Sequence, residues 1–258
     1  MKKISRKTAL IILAVVLTVA GAIGSFAAGS GMDFESDSYE ASFFMNHLQV
    51  HLLENGRDVC GGENTLDGES KVTGELVGYL GYESENKLGS FEPGKMYKEE
   101  IAAGNGQDIP VYVRMTIRKY WLDPETKEKI TTLSPDLIRL SYDGKEYNSS
   151  AWVINEHEST AEASTYYCRS EVPAGKSSAP LFNRLVIDSK IADDYEVTTD
   201  ENKETGVTTY TYVYRYDGSA FMIKADVQAV QTHNANDAME SQWGVSNVAV
   251  RGGKITVD

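Results

Sequence analysis

Apolar and polar residues alternate along most of this chain. From Val111 to Trp121, Val111, Val113, Met115 and Ile117 share one parity, and Tyr112, Arg114, Thr116, Arg118 and Tyr120 the other. Period two is the period of a strand, so this segment predicts an apolar inner face and a polar outer one. Arg114 and Arg118 could meet an anionic ligand there, but the default for an outer face is pairing with nearby carboxylates. The run His47 to Glu54 reads the same way, with Leu48, Val50 and Leu52 opposite His47, Gln49 and His51. Shorter strands are expected over 75–82, from Gly94 onward, and over 151–154, 165–168 and 181–187. A final hairpin is expected from Val245–Val250 and Lys254–Val257 through Gly252-Gly253. Residues 135–140 suit one helical turn or a strand. The polar stretches 56–74 and 198–206 read as loops, and 123–129 as a charged turn.

The most informative stretch is 208–244. Tyr210, Tyr212, Tyr214 and Tyr216 stand at every second position, followed by Asp217-Gly218, then Phe221, Ile223, Ala225, Val227 and Ala229 in phase. Asp-Gly suits a two-residue type I′ turn. A hairpin closed there would set Tyr214 against Phe221, Tyr212 against Ile223 and Tyr210 against Ala225. Such aromatic–aliphatic pairs belong in a core. The alternative, tyrosines as a platform for sugars or nucleotides, requires them to be exposed. Past the hairpin the period lengthens. Ala235, Ala238, Met239 and Trp243 form one stripe of a short helix, with Asn234 or Asn236 to cap it, Asp237 near its positive end and Gly244 to stop it.

These patterns predict a mainly β chain, an antiparallel sandwich with one or a few short peripheral helices. Of its 258 residues, 1–27 have the three parts of a secretory signal. Lys2, Lys3, Arg6 and Lys7 form the basic region, Ala9–Ile23 the apolar run, and Ser25-Phe26-Ala27 the small-residue cleavage triplet. Cleavage is expected after Ala27, with Ala28 the alternative, and no membrane span after it, because the run is short for one. Residues 28–45 would then be a polar, acidic, mobile N-terminal segment, and 46–258 a single β-domain. The formal charge is −13, and the leader holds bases without acids, so the exported part is more acidic still. Such a surface disfavours nucleic acid and anionic membranes.

Candidate chemistry is sparse. His47 and His51 have a spacing that holds metals on helices, but four residues of strand cover about 13 Å, and Leu48 stands where a zinc hydrolase carries its glutamate. Outer-face histidines are the expected reading. No nucleophile elbow, phosphate loop or Cys-x-x-Cys occurs, so no catalytic residue, metal or cofactor is assigned. Two cysteines in an exported chain permit a Cys60–Cys168 disulfide; equally, Cys168 can be a small buried residue of its strand.

Several segments together carry a likeness: the leader ending Ala22-Ile-Gly-Ser-Phe-Ala-Ala28, Val50-His-Leu-Leu-Glu54, Tyr112-Val-Arg-Met-Thr-Ile-Arg-Lys-Tyr-Trp121, Tyr166-Tyr167, Pro180-Leu-Phe182, Val227-Gln-Ala-Val-Gln-Thr-His-Asn-Ala-Asn-Asp-Ala238 and Trp243-Gly-Val245. The chain resembles the TasA/camelysin family of exported proteins of Gram-positive bacteria. The resemblance implies an alternate signal peptide cut by a dedicated signal peptidase, and a jelly-roll-like sandwich. It also implies a role as a biofilm-matrix fibre subunit that self-associates by donating an N-terminal strand, for which Phe34, Phe43 and Met45 would be anchors. A monomeric surface-binding module or adhesin, and a camelysin-like secreted metallopeptidase, are the alternative functions. The two cysteines and the long insert between Glu54 and Gly94 depart from the smaller family members.

Overall fold

β-branched and aromatic residues in alternation build two antiparallel sheets in the computed structural model, which describes residues 49–59, 71–79, 91–203 and 205–258. The strands are β1 (Val50–Glu54), β2 (Arg57–Asp58), β3 (Lys71–Tyr79), β4 (Met96–Asn105), β5 (Val111–Leu122), β6 (Lys129–Ile130), β7 (Ile138–Ser141), β8 (Trp152–Asn155), β9 (Ala163–Cys168), β10 (Phe182–Ile187), β11 (Tyr195–Asn202), β12 (Val207–Tyr214), β13 (Ala220–Gln231), β14 (Val248–Arg251) and β15 (Lys254–Val257). A five-stranded sheet runs β2-β1-β4-β10-β7. A six-stranded sheet runs β3-β13-β5-β9-β8, with β6 on the end of β5. All described residues belong to one compact unit, His47–Asp258.

The inward parities of the two sheets meet in one core. Val50, Leu52, Ile101, Leu185 and Ile187 come from one sheet, and Val113, Met115, Trp121, Trp152, Ile223 and Val227 from the other. This is the expected mainly β antiparallel sandwich. The β5 inner face is the predicted one, with Val111, Val113, Met115 and Ile117 all buried. The segment 135–140 is both of its readings in succession, a 3-10 turn at Pro135–Leu137 and then β7. Residues 80–82 lie outside the described residues, and β3 is described from Lys71 to Tyr79, so it takes in residues ahead of the 75–82 expected. Pairing with β13 over its whole length holds those polar residues extended.

The helix α1 (Ala235–Trp243) lies with β14 and β15 on the outer face of the six-stranded sheet. There Ala235, Met239 and Trp243 pack with Tyr112, Tyr167 and Val230. Gly244 ends it with φ 68°, as expected. Capping differs from expectation. Asn234 sits at φ 49° and makes no side-chain cap bond, and Asn236 Oδ1 instead accepts from the Val250 N–H at 2.7 Å, tying the helix to β14.

The tyrosine hairpin is the main correction. Asp217-Gly218 does turn the chain, with Gly218 at φ 72° and the Ser219 N–H donating to the Tyr216 carbonyl at 3.2 Å. The flanking strands part rather than pair. β13 has β3 on one edge and β5 along all twelve residues of the other, so neither edge is left for β12. β12 pairs instead with residues 195–202, which include part of the expected 198–206 loop, in a separate two-stranded ribbon. Only Tyr216 enters the core, edge-on to Trp121 at 4.9 Å. Tyr210, Tyr212 and Tyr214 are exposed.

The outer face of the six-stranded sheet carries a polar ladder. Arg114 donates to Gln228 at 2.6 and 3.0 Å. Arg118 pairs with Asp226, whose other oxygen accepts from the Thr73 hydroxyl at 2.6 Å. The expected pairing with a carboxylate is thus made by Arg118, whereas Arg114 bonds to the Gln228 amide oxygen and has Glu158 only at 3.9 Å. Asp226 is buried while Arg118 is 42% exposed. Asp226→Ala therefore leaves a cation that water can reach, and the expected cost is about 2 kcal/mol. The midpoint of urea unfolding measures it, and an unchanged midpoint would count against the ladder as a stabilising element.

Candidate functional site

β7 is the last strand of the five-stranded sheet and β8 the last of the six-stranded one. Between β5, β9 and β8 on one side and β7 and β10 on the other lies a cleft of about 720 Å³. A cleft of that size is within the range of small-molecule sites and also takes a short extended chain.

Its floor is apolar, formed by Ile117, Leu140, Ile154, Phe182 and Val186 with Tyr166 among them. The Tyr166 ring stands edge-on to Phe182 at 5.6 Å and lies 5.2 Å from Tyr147. Burial pushes its hydroxyl up to about 12, so it stays a neutral donor and acceptor. The rim is charged. Lys119, Arg139 and Lys145 lie towards β7, with Asp136 and Glu146 near them, and Glu156 and Glu162 lie towards β9. Arg139 is held by Asp188 at 2.9 Å. Lys119 projects from β5 towards β7, and its amine donates to the Ile138 carbonyl at 3.0 Å. Burial lowers the Lys119 pKa, with the Asp136 charge opposing.

β7 is hydrogen-bonded to β10 along one edge, from Arg184↔Ser141 to Ile187↔Ile138. Among the described residues its other edge, towards the cleft mouth, carries no strand. The outward backbone groups of this edge belong to Ile138, Leu140 and Tyr142; the Ile138 N–H donates to the Pro135 carbonyl, its carbonyl accepts from Lys119, and Tyr142 bonds in both directions with Lys145. The cleft thus offers an apolar floor, a basic wall and a short stretch of strand edge at Leu140. These groups bind and orient. No histidine or cysteine is among the described residues that line it.

The residues singled out in the sequence fall elsewhere. His51 Nδ1 lies 2.5 Å from the Asp58 carboxylate on β2. His47, Ala27, Ala28, Phe34, Phe43, Met45 and Cys60 lie outside the described residues. Cys168 is a free, buried thiol on β9, and burial pushes it up to about 11, which makes it unreactive. Its burial is what the second reading of this residue expected, and the disulfide reading falls on Cys60, outside the described residues. Among the described residues, no three His, Cys, Asp or Glu side chains converge on a point that could hold a metal ion. The cleft itself had no sequence signal. Its lining comes from four separated segments, each of which reads as an ordinary strand or turn. Comparison of the chain with family models, curated proteins and solved structures returned no match.

Proposed function

We propose that this chain is an exported structural subunit of an extracellular fibre, in which an extended N-terminal segment of one copy adds to β7 in the cleft of the next. The observation that carries the reading is the open apolar cleft with a basic rim beside β7, where no further strand pairs among the described residues and the Leu140 N–H and C=O face outward. Main-chain hydrogen bonds along such an edge supply affinity, and alternate side chains entering an apolar floor set register. Residues 29–45 have the matching chemistry. They hold Asp33, Glu35, Asp37 and Glu40 with no base, to face Lys119, Arg139 and Lys145, and they hold Phe34, Phe43 and Met45 to fill the floor. The secretory pattern of 1–27 and the resemblance to the TasA/camelysin family, with its jelly-roll sandwich and matrix role, support the same reading.

Electron microscopy of purified chain beginning at Ala28, beside chain beginning at Asn46, tests it. Filaments are expected from the first and single particles from the second. Arg139→Glu in the longer chain should shorten or abolish the filaments, because it sets a carboxylate against an acidic strand. Filaments from both chains, unaffected by Arg139→Glu, would remove strand donation. Single particles from both would favour a monomeric binding module whose cleft takes a small ligand, a reading its volume also permits.

A further inference from the structure

The ribbon of β11 and β12 has no role in the cleft. Every residue of both strands is exposed, no further strand pairs with the ribbon among the described residues, and an isolated two-stranded hairpin is marginal in water. Tyr210 is 61% exposed and Tyr212 52%. The two strands differ sharply in charge. β11 carries Glu196, Asp200 and Glu201, whereas β12, Val-Thr-Thr-Tyr-Thr-Tyr-Val-Tyr, carries no charge, no proline and no glycine. Long, neutral, β-branched and aromatic edges are what proteins otherwise guard against pairing.

The backbone says which groups that edge presents. The Arg215 N–H donates to the Asp194 carbonyl at 3.0 Å and the Gly206 N–H to the Asn202 carbonyl at 2.8 Å. With Val213 opposite Glu196 and Thr211 opposite Thr198, the odd-numbered residues of β12 bond inward to β11. Thr208, Tyr210, Tyr212 and Tyr214 therefore turn their N–H and C=O outward.

We propose that this outer edge of β12 pairs antiparallel with β12 of a second copy, about a two-fold axis at Thr211. That centre uses the whole strand. It sets Tyr210 of each copy opposite Tyr212 of the other, and Thr208 opposite Tyr214, as hydrogen-bonded pairs. The tyrosine face, already joined to Tyr195 by ring contacts at 5.3 and 5.5 Å, then runs unbroken across four strands. The uncharged, self-complementary β12 edge fits a second copy of itself, and charge selects this strand as the joint. Two chains of formal charge −13 repel, and β12 against β12 is the ribbon pairing that brings no carboxylate strand to the joint. A cationic partner would be drawn to the acidic strand β11 instead.

The test uses the full chain carrying Cys60→Ser, so that the remaining native thiol is the buried Cys168. Thr211→Cys is compared with Thr198→Cys on the β11 strand under mild oxidation. A residue on the two-fold axis faces its own copy at about 4.5 Å between Cα atoms, within disulfide reach. A disulfide-linked dimer is expected from Thr211→Cys and not from Thr198→Cys. Equal crosslinking of both, or of neither, overturns the proposal. Independently, Tyr212→Lys should weaken association in sedimentation equilibrium by roughly tenfold, since each dimer loses both of its cross-strand Tyr210–Tyr212 pairs. Thr198→Lys should leave it unchanged, and near-ultraviolet circular dichroism checks that both variants keep the sandwich. A chain that neither crosslinks nor associates, but is retarded by a polysaccharide gel in a Tyr212-dependent way, overturns the proposal in favour of a glycan platform. The crosslink reads the ribbon alone. Its failure leaves strand donation standing, and loss of filaments on removing 29–45 leaves the crosslink standing.

Discussion

Replacing Trp152 by alanine is expected to destabilise the protein by about 3–5 kcal/mol, the range for large buried aromatics. Trp152 is fully buried although it belongs to β8, the last strand of its sheet. Its indole N–H donates to the Ala179 carbonyl at 2.9 Å, just ahead of β10 in the opposite sheet. Next to it, Asn148 accepts the Trp152 backbone N–H at 2.9 Å and sends its amide to the Pro180 carbonyl at 2.9 Å. Its own backbone N–H reaches the Leu181 carbonyl at 3.0 Å. This group of bonds joins the two sheets beside the cleft. Trp152→Ala leaves both a cavity and a carbonyl without its donor. Trp152→Phe keeps most of the volume and loses only the N–H, for about 1–2 kcal/mol. Urea unfolding at fixed pH separates the two variants. A cost below about 1 kcal/mol for the alanine variant would mean that the site collapses readily and that the joint contributes little.

Stability should also fall as pH rises through the range in which most proteins hold steady, and Glu99 is the cause. It stands on the inward parity of β4 with Ile101 and Ala103, and is buried. Burial, reinforced by the charge of Glu54, raises its carboxyl from 4.5 to about 7, against a hydrogen bond from Asn55 that lowers it. Below pH 4.5 both folded and unfolded chains hold the proton, and the group costs nothing. Between 4.5 and 7 the unfolded chain releases it while the folded chain keeps it, so unfolding gains with each step of pH. Above 7 the penalty is complete, at about 3 kcal/mol from about 1.4 kcal/mol per unit. Glu99→Gln should match the parent near pH 4 and exceed it by a similar amount at pH 8. Urea midpoints measured from pH 4 to 8 decide the matter, and parallel curves for parent and variant would show that the carboxyl is ionised at no cost in the folded chain.

Periodicity made the faces of the sandwich legible. Val111 to Ile117 faces inward, the stripe Ala235, Met239 and Trp243 is buried, and Gly252-Gly253 turns the last hairpin with φ of 59° and 77°. Each of these is a local property, because alternation and turn chemistry act over a few neighbours. Partnership is not local. Tyr210, Tyr212 and Tyr214 alternate in phase with Phe221 and Ile223, yet β13 spends both its edges on β3 and β5, and the tyrosines are left to a ribbon with residues 195–202. The stretch 198–206 reads as a loop, and its part up to Asn202 is strand, because that strand form draws on a partner beyond its own sequence. The inward Glu99 had no periodic signature that distinguished it from the outward acids around it. The cleft, too, exists only where β5, β7, β9 and β10, far apart in the chain, come together. Alternation by itself determined which residues of a strand share a face. Only the tertiary structure decided which strands pair and where an edge is left open, because competition among strands for a fixed number of edges is settled by the whole assembly.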